Sequence, residues 1–460
     1  MTAKRQRLIV ISVIAIVLTG LLFRLPLLSS VPLARNQDEA SAGYEAWAIL
    51  RFGTDRNGNN YPVLLESWGS GQNALYSYLT IPFVAAFGMN PVAVRIPMII
   101  LGVAAIILAF FFGRRQSIKL GVLFAFALSL NPWHVMISRW ALESNILPFF
   151  VLLAMYFAER AYRKPVMLIP GAAVLALSLY AYGTAFIWAP VFAVFSLIYM
   201  AKSDSVFRKR GGISVIIAAA VFAVIAFPIA LCHIRNALGL PEMRLFGLFT
   251  LPELTSPRQA ATMNFHILRN GANLIKLLIL QNDGLLWNRV KPFGMIYGVP
   301  GLALAAAGII FSVRDKAFPI PIIALISGAV TMLFVNININ RANVLLIPLV
   351  WFQAYALYWF WLRLKPLAAA IMLAAVVGFA SFWITYTGRY GSELAEFLRN
   401  ADNMPYIYCL YNERVSPRDF ADTVEYFNPG EAFQWVKSFE WRDENGQWQT
   451  YNYQQPRPAD

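Results

Sequence analysis

The stretch LIVISVIAIVLTGLLFRLPLL at residues 8–28, followed by ARNQDEA at residues 34–40, decides the fold class of this chain. The first part is long enough to cross a hydrocarbon core, which requires about 20 apolar residues. Similar runs recur throughout the 460 residues, of which 58% are hydrophobic and only 13% are charged. A soluble protein carries about 25% charged residues, and a membrane β-barrel shows short alternating segments instead. The sequence therefore predicts an all-α polytopic membrane protein.

The net charge of +14 comes from basic residues that cluster between the apolar runs. Gly113-Arg114-Arg115 is one such cluster, and Lys4-Arg5 precedes the first run. Clusters of this kind mark cytoplasmic loops, so we expect a cytoplasmic N-terminus and no nucleic-acid partner. The first run lacks a small-residue cleavage signature, and we interpret it as a retained helix of a multi-pass plasma (cell inner) membrane protein.

Charge parity along the chain predicts about eleven transmembrane helices within residues 1–386. Residues 29–91 are expected to form a first extracytoplasmic loop and residues 232–293 a second one. The apolar segment Leu75–Phe87 is short for a span, so we expect an interfacial helix there. The expected spans are 8–28, 92–112, 120–136, 146–161, 166–183, 185–201, 213–231, 294–312, 317–335, 343–361 and 367–386.

Residues 387–460 are richer in Asp, Glu, Asn and Gln than the rest of the chain. Gly391–Asn400 has a helical pattern, and Pro405–Leu410 is typical of a short strand. Ser416-Pro417 is typical of a helix start, with serine as the N-cap and proline in the first turn. We therefore expect a small extracytoplasmic α/β domain at the C-terminal end.

Asp38 and Glu39 are adjacent carboxylates just beyond the first span, where charge is costly unless it is solvated or used. One interpretation is structural: Asp38 is the N-cap of an amphipathic helix that carries Tyr44 and Trp47 on a membrane-facing side. The other is catalytic: the same helix presents a base that removes a proton from an acceptor hydroxyl beside a lipid-linked substrate. The two interpretations are compatible.

Two arginines lie at the expected extracytoplasmic ends of helices. Arg139 follows the segment Asn131–Ser138, and Arg341 follows Asn336–Asn340. A guanidinium group is always charged and can bind a phosphate through two hydrogen bonds. The alternative interpretation is that each arginine side chain extends to the lipid headgroups without binding a substrate. Our hypothesis is that Arg139 and Arg341 bind a lipid phosphate.

The two long loops contribute further candidates for substrate contact. Asn282-Asp283-Gly284 is primarily a turn signal, but Asp283 and the nearby Lys291 are candidates for contact with substrate or headgroups. Glu66 and Trp68 are candidates for a sugar site, because indole rings stack on sugars and polar groups bind hydroxyls. An ordered surface loop is the alternative for both.

A divalent cation site is one further interpretation, without a certain cofactor. His134, at a helix end, together with Asp38, Glu39 and Glu66 would supply nitrogen and oxygen ligands. A structural polar contact is the commoner role of such a histidine, and the sequence alone gives no ligand spacing.

These elements together resemble the polytopic type-C glycosyltransferases, in particular the bacterial relatives of dolichyl-phosphate-mannose–protein mannosyltransferases and of the lipid A aminoarabinose transferase. The resemblance covers roughly residues 1–350. It rests on Asp38-Glu39 with Tyr44 and Trp47, Gly53–Gly58 with Tyr61-Pro62, Arg95-Ile96-Pro97, Asn131–His134 with Ser138-Arg139, and Asn340-Arg341 before Pro348.

The resemblance implies transfer of a sugar from a polyprenyl-phosphate monosaccharide, with inversion, on the outer face of the membrane. Asp38 would be the general base and Glu39 would orient donor or acceptor. Arg139 and Arg341 would bind the carrier phosphate. The phosphate leaves as an anion, and positive charge nearby favours its departure. A hexosyl- or pentosyltransferase acting on a protein, a glycolipid or a cell-envelope glycan is the expected activity.

Two other membrane functions are alternatives for such a sequence. A transporter or flippase for lipid-linked sugars would carry internal repeats or ionisable residues in mid-helix, and the sequence has neither feature. A polymerase or ligase for lipid-linked glycans would be expected to place its chemistry in a late loop rather than in the first. A glycosyltransferase is therefore the preferred hypothesis.

Overall fold

Helices make up most of the chain. The computed structural model describes residues 3–32, 36–67, 70–202, 207, 211–255, 263–401, 405–431 and 434–453, with side chains from residue 9 onward except at 398–401. The helices are α1 Ala3–Leu22, α2 Gln37–Phe52, α3 Leu75–Phe87, α4 Pro91–Gly113, α5 Ile118–Ser129, α6 Pro132–Ile137, α7 Leu147–Ala161, α8 Leu168–Ser178, α9 Ala185–Lys202, α10 Gly212–Ala237, α11 Ile267–Leu280, α12 Gly298–Arg314, α13 Ile320–Leu333, α14 Ile339–Arg363, α15 Lys365–Thr387, α16 Arg389–Ala401, α17 Tyr406–Glu413 and α18 Pro417–Thr423.

Short strands form three separate antiparallel sheets among the described residues. Two are hairpins in the long loops, and the third is a three-stranded sheet in the tail. The strands are β1 Leu64–Ser67, β2 Ser70–Asn73, β3 Met243–Leu245, β4 Phe249–Leu251, β5 Glu425–Tyr426, β6 Val436–Arg442 and β7 Trp448–Asn452. The tail sheet has the strand order β5-β6-β7.

Five helices of the described residues, α4, α9, α10, α14 and α15, are long and apolar enough to cross a membrane. Shorter apolar helices include residues 9–22 of α1, residues 165–178, and α3, α5, α12 and α13. Every predicted span overlaps one of these helices or α7, although the bounds differ for several of them. The number of crossings, about eleven, stays a prediction.

Prolines explain where two predicted spans end early. The first helix ends at Leu22 rather than at residue 28, because Pro26 cannot donate a helical hydrogen bond. The predicted span 120–136 divides into α5 and α6 at Asn131-Pro132. Asn131 caps α6 by accepting a hydrogen bond from the backbone N–H of His134, at 3.1 Å.

α14 lies at the centre of the helical part. Every residue from Ala342 to Leu357 is buried, which is expected of a helix that is apolar on all sides. It packs against α5, α7, α12, α13 and α15. Its first turn therefore has a fixed position relative to the loops that surround it.

α2 runs inside the first long loop, between α3, α4 and the tail helix α17. Its N-cap is Asn36, not Asp38, so that detail of the structural interpretation is wrong. The helix was also expected to turn Tyr44 toward the membrane, but Tyr44 is fully buried. Gly43 explains the close packing, because a side chain there would clash with Tyr411 of α17 and with Val94 of α4.

The tail is an α/β unit, although one element differs from the prediction. Pro405–Leu410 was expected to be a strand because of its aromatic residues, but α17 occupies this segment. Its buried residues are Tyr406, Ile407, Leu410 and Tyr411, a spacing that fits a helix face and not a strand. The predicted helices at Gly391–Asn400 and after Ser416 are both present, with Ser416 as N-cap and Pro417 in the first turn.

Candidate active site

Asp38 and Glu39 open α2, but their side chains have different environments. The backbone N–H of Asp38 donates to Asn36 Oδ1 at 2.8 Å, and the Asp38 side chain is half-buried. Glu39 is 1% exposed, and both of its carboxylate oxygens accept hydrogen bonds from Arg95, at 2.7 Å each. The N-terminus of a helix favours negative charge, so the site stabilises carboxylates at both positions.

Arg95 joins α4 to the beginning of the first loop. Besides Glu39, its guanidinium donates to the carbonyl of Leu28 at 2.8 Å and to that of Pro32 at 3.4 Å. Glu39 in turn accepts the backbone N–H of Ala141 at 3.3 Å. The pair therefore fixes the start of α2, and with it Asp38, against two other parts of the chain.

Arg139 does not lie where the phosphate hypothesis needs it. Its side chain is buried, and its guanidinium donates to the carbonyls of Arg24 at 2.7 Å, Pro26 at 2.9 Å and Val31 at 2.9 Å. The cation also lies over the ring of Trp383, 5.4 Å from its centroid. Arg139 thus holds the connection that follows α1, which corrects the expectation of a phosphate ligand.

His134 has a similar structural role. It is 2% exposed, and its Nδ1 accepts a hydrogen bond from Arg24 at 2.7 Å. Because His134 binds Arg24 and Glu39 binds Arg95, the proposed cation site with Asp38 and Glu66 is not formed. Within the described part of the chain, no group of three or more His, Cys, Asp or Glu side chains is arranged to hold a metal ion.

A chain of hydrogen bonds links the helix face of Asp38 to the β1–β2 hairpin. Ser41, one turn after Asp38, donates to Gln72 Oε1 at 3.2 Å, and Ser67 donates to the same oxygen at 2.9 Å. The next residue, Asn73, donates its backbone N–H to Glu143 at 2.6 Å. The hairpin therefore connects α2 with the helical turn Glu143–Ile146.

A narrow cleft lies between the β1–β2 hairpin, this turn and the first turn of α14. Glu143, which is 6% exposed, lies in its wall, and Asn343 of α14 donates to the carbonyl of the adjacent Ser144 at 3.2 Å. The turn at residues 143–146 thus connects the β1–β2 hairpin with α14. Polar side chains in the lining belong to Asn73, Glu143, Tyr182, Thr184, His233 and Arg341.

Sequence reasoning missed most of this lining. Glu143 could have been found, because it is a carboxylate between two apolar runs, which is the same signal that identified Asp38. Thr184 gave no such signal, yet its hydroxyl is buried and has no hydrogen-bond partner among the residues that the structure describes. The cleft thus retains unused hydrogen-bonding capacity.

Arg341 lies in the first turn of α14 and reaches the cleft. Its guanidinium is partly exposed and donates to the carbonyl of Asn336 at 2.7 Å, while Asn338 caps the helix. Asp283 lies beside this terminus and accepts the backbone N–H of Ile339 at 2.9 Å and the amide of Asn288 at 2.7 Å. Asp283 therefore has a structural role there, in addition to the turn that was predicted.

The other predicted substrate residues have varied positions. Tyr44 donates its hydroxyl to the carbonyl of Val415 at 2.7 Å, which connects α2 to the tail rather than to a substrate. Lys291 is exposed, and Glu66 is half-buried in β1. Trp68 lies outside the described residues. Substrate contacts of Lys291, Glu66 and Trp68 stay predictions.

Arg56 of the first loop is the centre of a buried network of charged and polar side chains. Arg56 donates to both carboxylate oxygens of Glu45, to Ser41 and, at 3.0 Å, to the hydroxyl of Tyr406 in the tail. Burial raises the pKa of the Glu45 carboxyl, and it also raises that of Glu66. Burial, together with the neighbouring Glu45, raises the pKa of Asp55 to about 8.

Solved structures share this fold. ArnT from Cupriavidus metallidurans in the apo state matches with a TM-score of 0.54 at 15% identity, over 81% of this chain and 63% of that chain. ArnT bound to undecaprenyl phosphate matches with a TM-score of 0.54 at 14% identity, over 92% of this chain and 70% of that one. An oligosaccharyltransferase from Archaeoglobus fulgidus, in complex with Zn and sulfate, matches with a TM-score of 0.54 at 14% identity, over 87% of this chain and 56% of that chain.

The chain therefore has the fold of the type-C glycosyltransferases, and the predicted resemblance is confirmed. The family model of dolichyl-phosphate-mannose-protein mannosyltransferases matches residues 43–240, which is less than half of the chain and begins after Asp38. The match spans 63% of the length of the apo ArnT chain. No curated protein matches the chain by sequence.

Proposed function

We propose that this protein is an inverting glycosyltransferase that takes a sugar from a polyprenyl-phosphate monosaccharide and uses Asp38 as its general base. The observation that carries the proposal is the position of Asp38. It is half-buried in the first turn of α2, and the buried pair of the adjacent Glu39 with Arg95 fixes the start of that helix. Asp38 also shares a helix face with Ser41, whose partner Gln72 lies between the cleft residues Gly71 and Asn73.

The proposed reaction is a single displacement. Asp38 accepts the proton of an acceptor hydroxyl, and the acceptor oxygen forms a bond to the anomeric carbon of the sugar. The bond from that carbon to the phosphate oxygen breaks, and its electron pair leaves with the polyprenyl phosphate. Attack opposite to the leaving group inverts the anomeric centre.

Arg341 is the best-supported phosphate ligand. It reaches the cleft, and one of its terminal nitrogens is bound to the carbonyl of Asn336 while the side chain stays partly exposed. A guanidinium group near the leaving phosphate stabilises the charge that develops there. Glu143, Asn73 and Thr184 supply hydrogen-bonding groups for the sugar in the same cleft.

The donor class is supported by the structural relatives. ArnT has been solved with undecaprenyl phosphate, and the matching family model describes protein mannosyltransferases. The sugar proposed is a hexose or a pentose, and the acceptor is a hydroxyl of a glycolipid, a protein or an envelope glycan. We place the N-terminus in the cytoplasm and the cleft and tail outside the plasma membrane, from the positions of the basic clusters.

Substitution of the proposed base tests the function. The purified protein in lipid vesicles should transfer sugar from at least one member of a panel of polyprenyl-phosphate sugars, with the product measured by mass spectrometry. Asp38→Asn should lower the rate by about 10²–10⁴-fold, the usual contribution of a general base. Thermal unfolding should be nearly unchanged, because the side chain is half-buried and the backbone cap at Asn36 is retained.

Asp422→Asn is the matched control, since it makes the same chemical change at an exposed aspartate of α18. It should transfer at the wild-type rate. Near-normal transfer by Asp38→Asn would rule out the base assignment. Absence of transfer by the wild type from every donor in the panel would rule out the proposed activity itself.

A further inference from the structure

The short link between α13 and α14 carries the hydrogen-bond partner of Arg341. α13 ends at Leu333 and Asn338 caps α14, so residues 334–337 form the link. Arg341 donates from Nη1 to the carbonyl of Asn336 in this link, at 2.7 Å. A guanidinium group is planar and rigid, so a hydrogen bond at one terminal nitrogen sets the direction of its other nitrogens. The position of the Asn336 carbonyl therefore decides where Arg341 presents its remaining N–H groups.

The second long loop holds this link in place. Met263 of the loop pairs with Val335 in an isolated antiparallel bridge, and the backbone N–H of Asn264 donates to the carbonyl of Phe334 at 2.9 Å. The side-chain amide of Asn264 donates to Asn336 Oδ1 at 2.6 Å. Consecutive residues of the link thus have partners in the loop, so the path of the link depends on the loop as well as on the two helices that it joins.

Asn264 is itself held from both sides. Its Oδ1 accepts the backbone N–H of His266 at 3.0 Å and the side-chain amide of Asn270 at 2.6 Å. Asn270 is buried in the first turn of α11, and it also donates to the carbonyl of Leu333 at 2.8 Å. The two asparagines therefore join α11 to the end of α13, and they leave Asn264 Nδ2 directed at Asn336.

The same segment forms part of the cleft wall. The lining residues include Met263, Val335 and Arg341. The start of α14 is held by other contacts, since Asn338 caps the helix and Asp283 accepts the backbone N–H of Ile339 at 2.9 Å. Loss of the Asn264 side chain should therefore change the direction of the Arg341 guanidinium and not the position of α14.

We propose that Asn264 is a positioning residue for the donor phosphate: through Asn336, it directs the Arg341 guanidinium at the phosphate of the polyprenyl carrier. The inference rests on the proposed transferase function, in which Arg341 binds that phosphate. It gives the second long loop a part in the donor site, although Asn264 acts through Arg341 and not by contact with the substrate.

Direct binding tests this role without requiring turnover. The probes are undecaprenyl phosphate and undecaprenol, which has the same chain and no phosphate, each added to the full-length protein in phosphatidylcholine nanodiscs. Native mass spectrometry gives the two affinities, and their ratio isolates the contribution of the phosphate. Asn264→Ala should lower this ratio by about 3–10-fold, the size expected when one hydrogen bond is lost. The affinity for undecaprenol should not change.

A double-mutant cycle separates positioning from a general stabilisation of the loop. Arg341→Ala should lower the ratio by about 10–100-fold, because hydrogen bonds of charged groups are stronger than those of neutral ones. In the Arg341→Ala background, Asn264→Ala should have no further effect, because its influence passes through Arg341. Asn336→Ala keeps the carbonyl that Arg341 binds and removes the acceptor of Asn264, so it should reproduce the loss seen with Asn264→Ala.

Asn90→Ala is the matched control, since it removes an asparagine that caps α4 by accepting the N–H of Ala93 at 3.0 Å. It should keep the wild-type ratio. An unchanged ratio in Asn264→Ala or Asn336→Ala, with a loss in Arg341→Ala, would overturn the inference and leave the donor site standing. Equal losses from Asn264→Ala in both backgrounds would also overturn it. Equal affinity of the wild type for the two probes would overturn the proposed donor site and the inference with it.

Discussion

Glu39, the neighbour of Asp38 in the chain, forms a bidentate ion pair with Arg95, and both members of that pair are 1% exposed. A buried ion pair gives little net stability, because removal of two charges from water is expensive. Removal of one member of the pair is strongly destabilising, because it leaves the other charge buried without compensation. The Glu39–Arg95 pair is therefore best understood as a device that fixes the start of α2 and hence the position of Asp38.

Substitution of Arg95 tests this positioning role. Arg95→Met should destabilise the protein by about 3–5 kcal/mol, because Glu39 would remain as a buried unpaired charge. The double variant Glu39→Gln/Arg95→Met should regain most of that stability while transfer stays low, since the link between α2 and the Leu28 carbonyl is lost. Unfolding temperature in detergent and transfer rate are the two measurements. Recovery of both together would show that the pair contributes to stability alone.

Asp55 should make stability depend on pH. Its pKa is raised by burial and by Glu45, from 3.8 to about 8. The folded protein then holds this proton more tightly than the unfolded chain does, so stability is greatest below about pH 4 and falls as the pH rises to about 8. Asp55→Asn should remove this component, because Asn retains an oxygen for the N–H groups of Asn57 and Asn59. Unfolding temperatures across pH 4–8 are the measurement.

Asp443→Asn is the control for this pH series. The pKa of Asp443 is lowered, first by the backbone N–H of Gln447 and then by Gln449, so its titration lies below the window. This variant should therefore keep the wild-type slope between pH 4 and pH 8. An Asp55→Asn variant with the same slope as the wild type would contradict the assignment.

Individual helices were predictable because their signal is local. Apolar runs and proline positions indicated α4, α10, α14 and α15 without any knowledge of their neighbours. α17 was mispredicted because its aromatic residues have high strand propensity. That helix docks against the first loop: Arg56 donates to Tyr406 in α17, and Tyr44 of α2 donates to the carbonyl of Val415 just after it. Such contacts join residues that are far apart in the chain and leave no mark on either local sequence.

The same reason explains which site residues were predictable. Asp38 was found because a carboxylate pair after a span is a local anomaly. The roles predicted for Arg139 and His134 did not anticipate their partners, which lie far away in the chain. Arg139 donates to the carbonyl of Arg24, and His134 accepts a hydrogen bond from the Arg24 side chain, after the end of α1. A polar residue at the end of a span is equally consistent with a ligand and with a structural donor. Only the pairing, which is a property of the fold, separates these roles.

At the scale of the molecule, contacts join the tail, the first loop and α14, and the cleft lies between the β1–β2 hairpin of that loop and Arg341 of α14. α2 contacts α17, the β1–β2 hairpin contacts the turn at residues 143–146, and that turn contacts α14. These elements belong to one face of the protein only if the loops between the spans alternate as the basic clusters indicate. The function proposed for the cleft therefore depends on the topology.

Cysteine accessibility tests this topology. Gln116 lies in the basic turn between α4 and α5, and Asn445 lies in the turn between β6 and β7; both are exposed. In intact cells, a membrane-impermeant maleimide should label Asn445→Cys, whereas Gln116→Cys should react only after permeabilisation, because Arg114 and Arg115 retain that turn in the cytoplasm. The wild type should give little background, since Cys232 is buried and burial raises the pKa of Cys409 to about 12. Labelling of both positions from outside would require an even number of crossings between them where the charge pattern requires an odd one, and the cleft could no longer be assigned to the outer face.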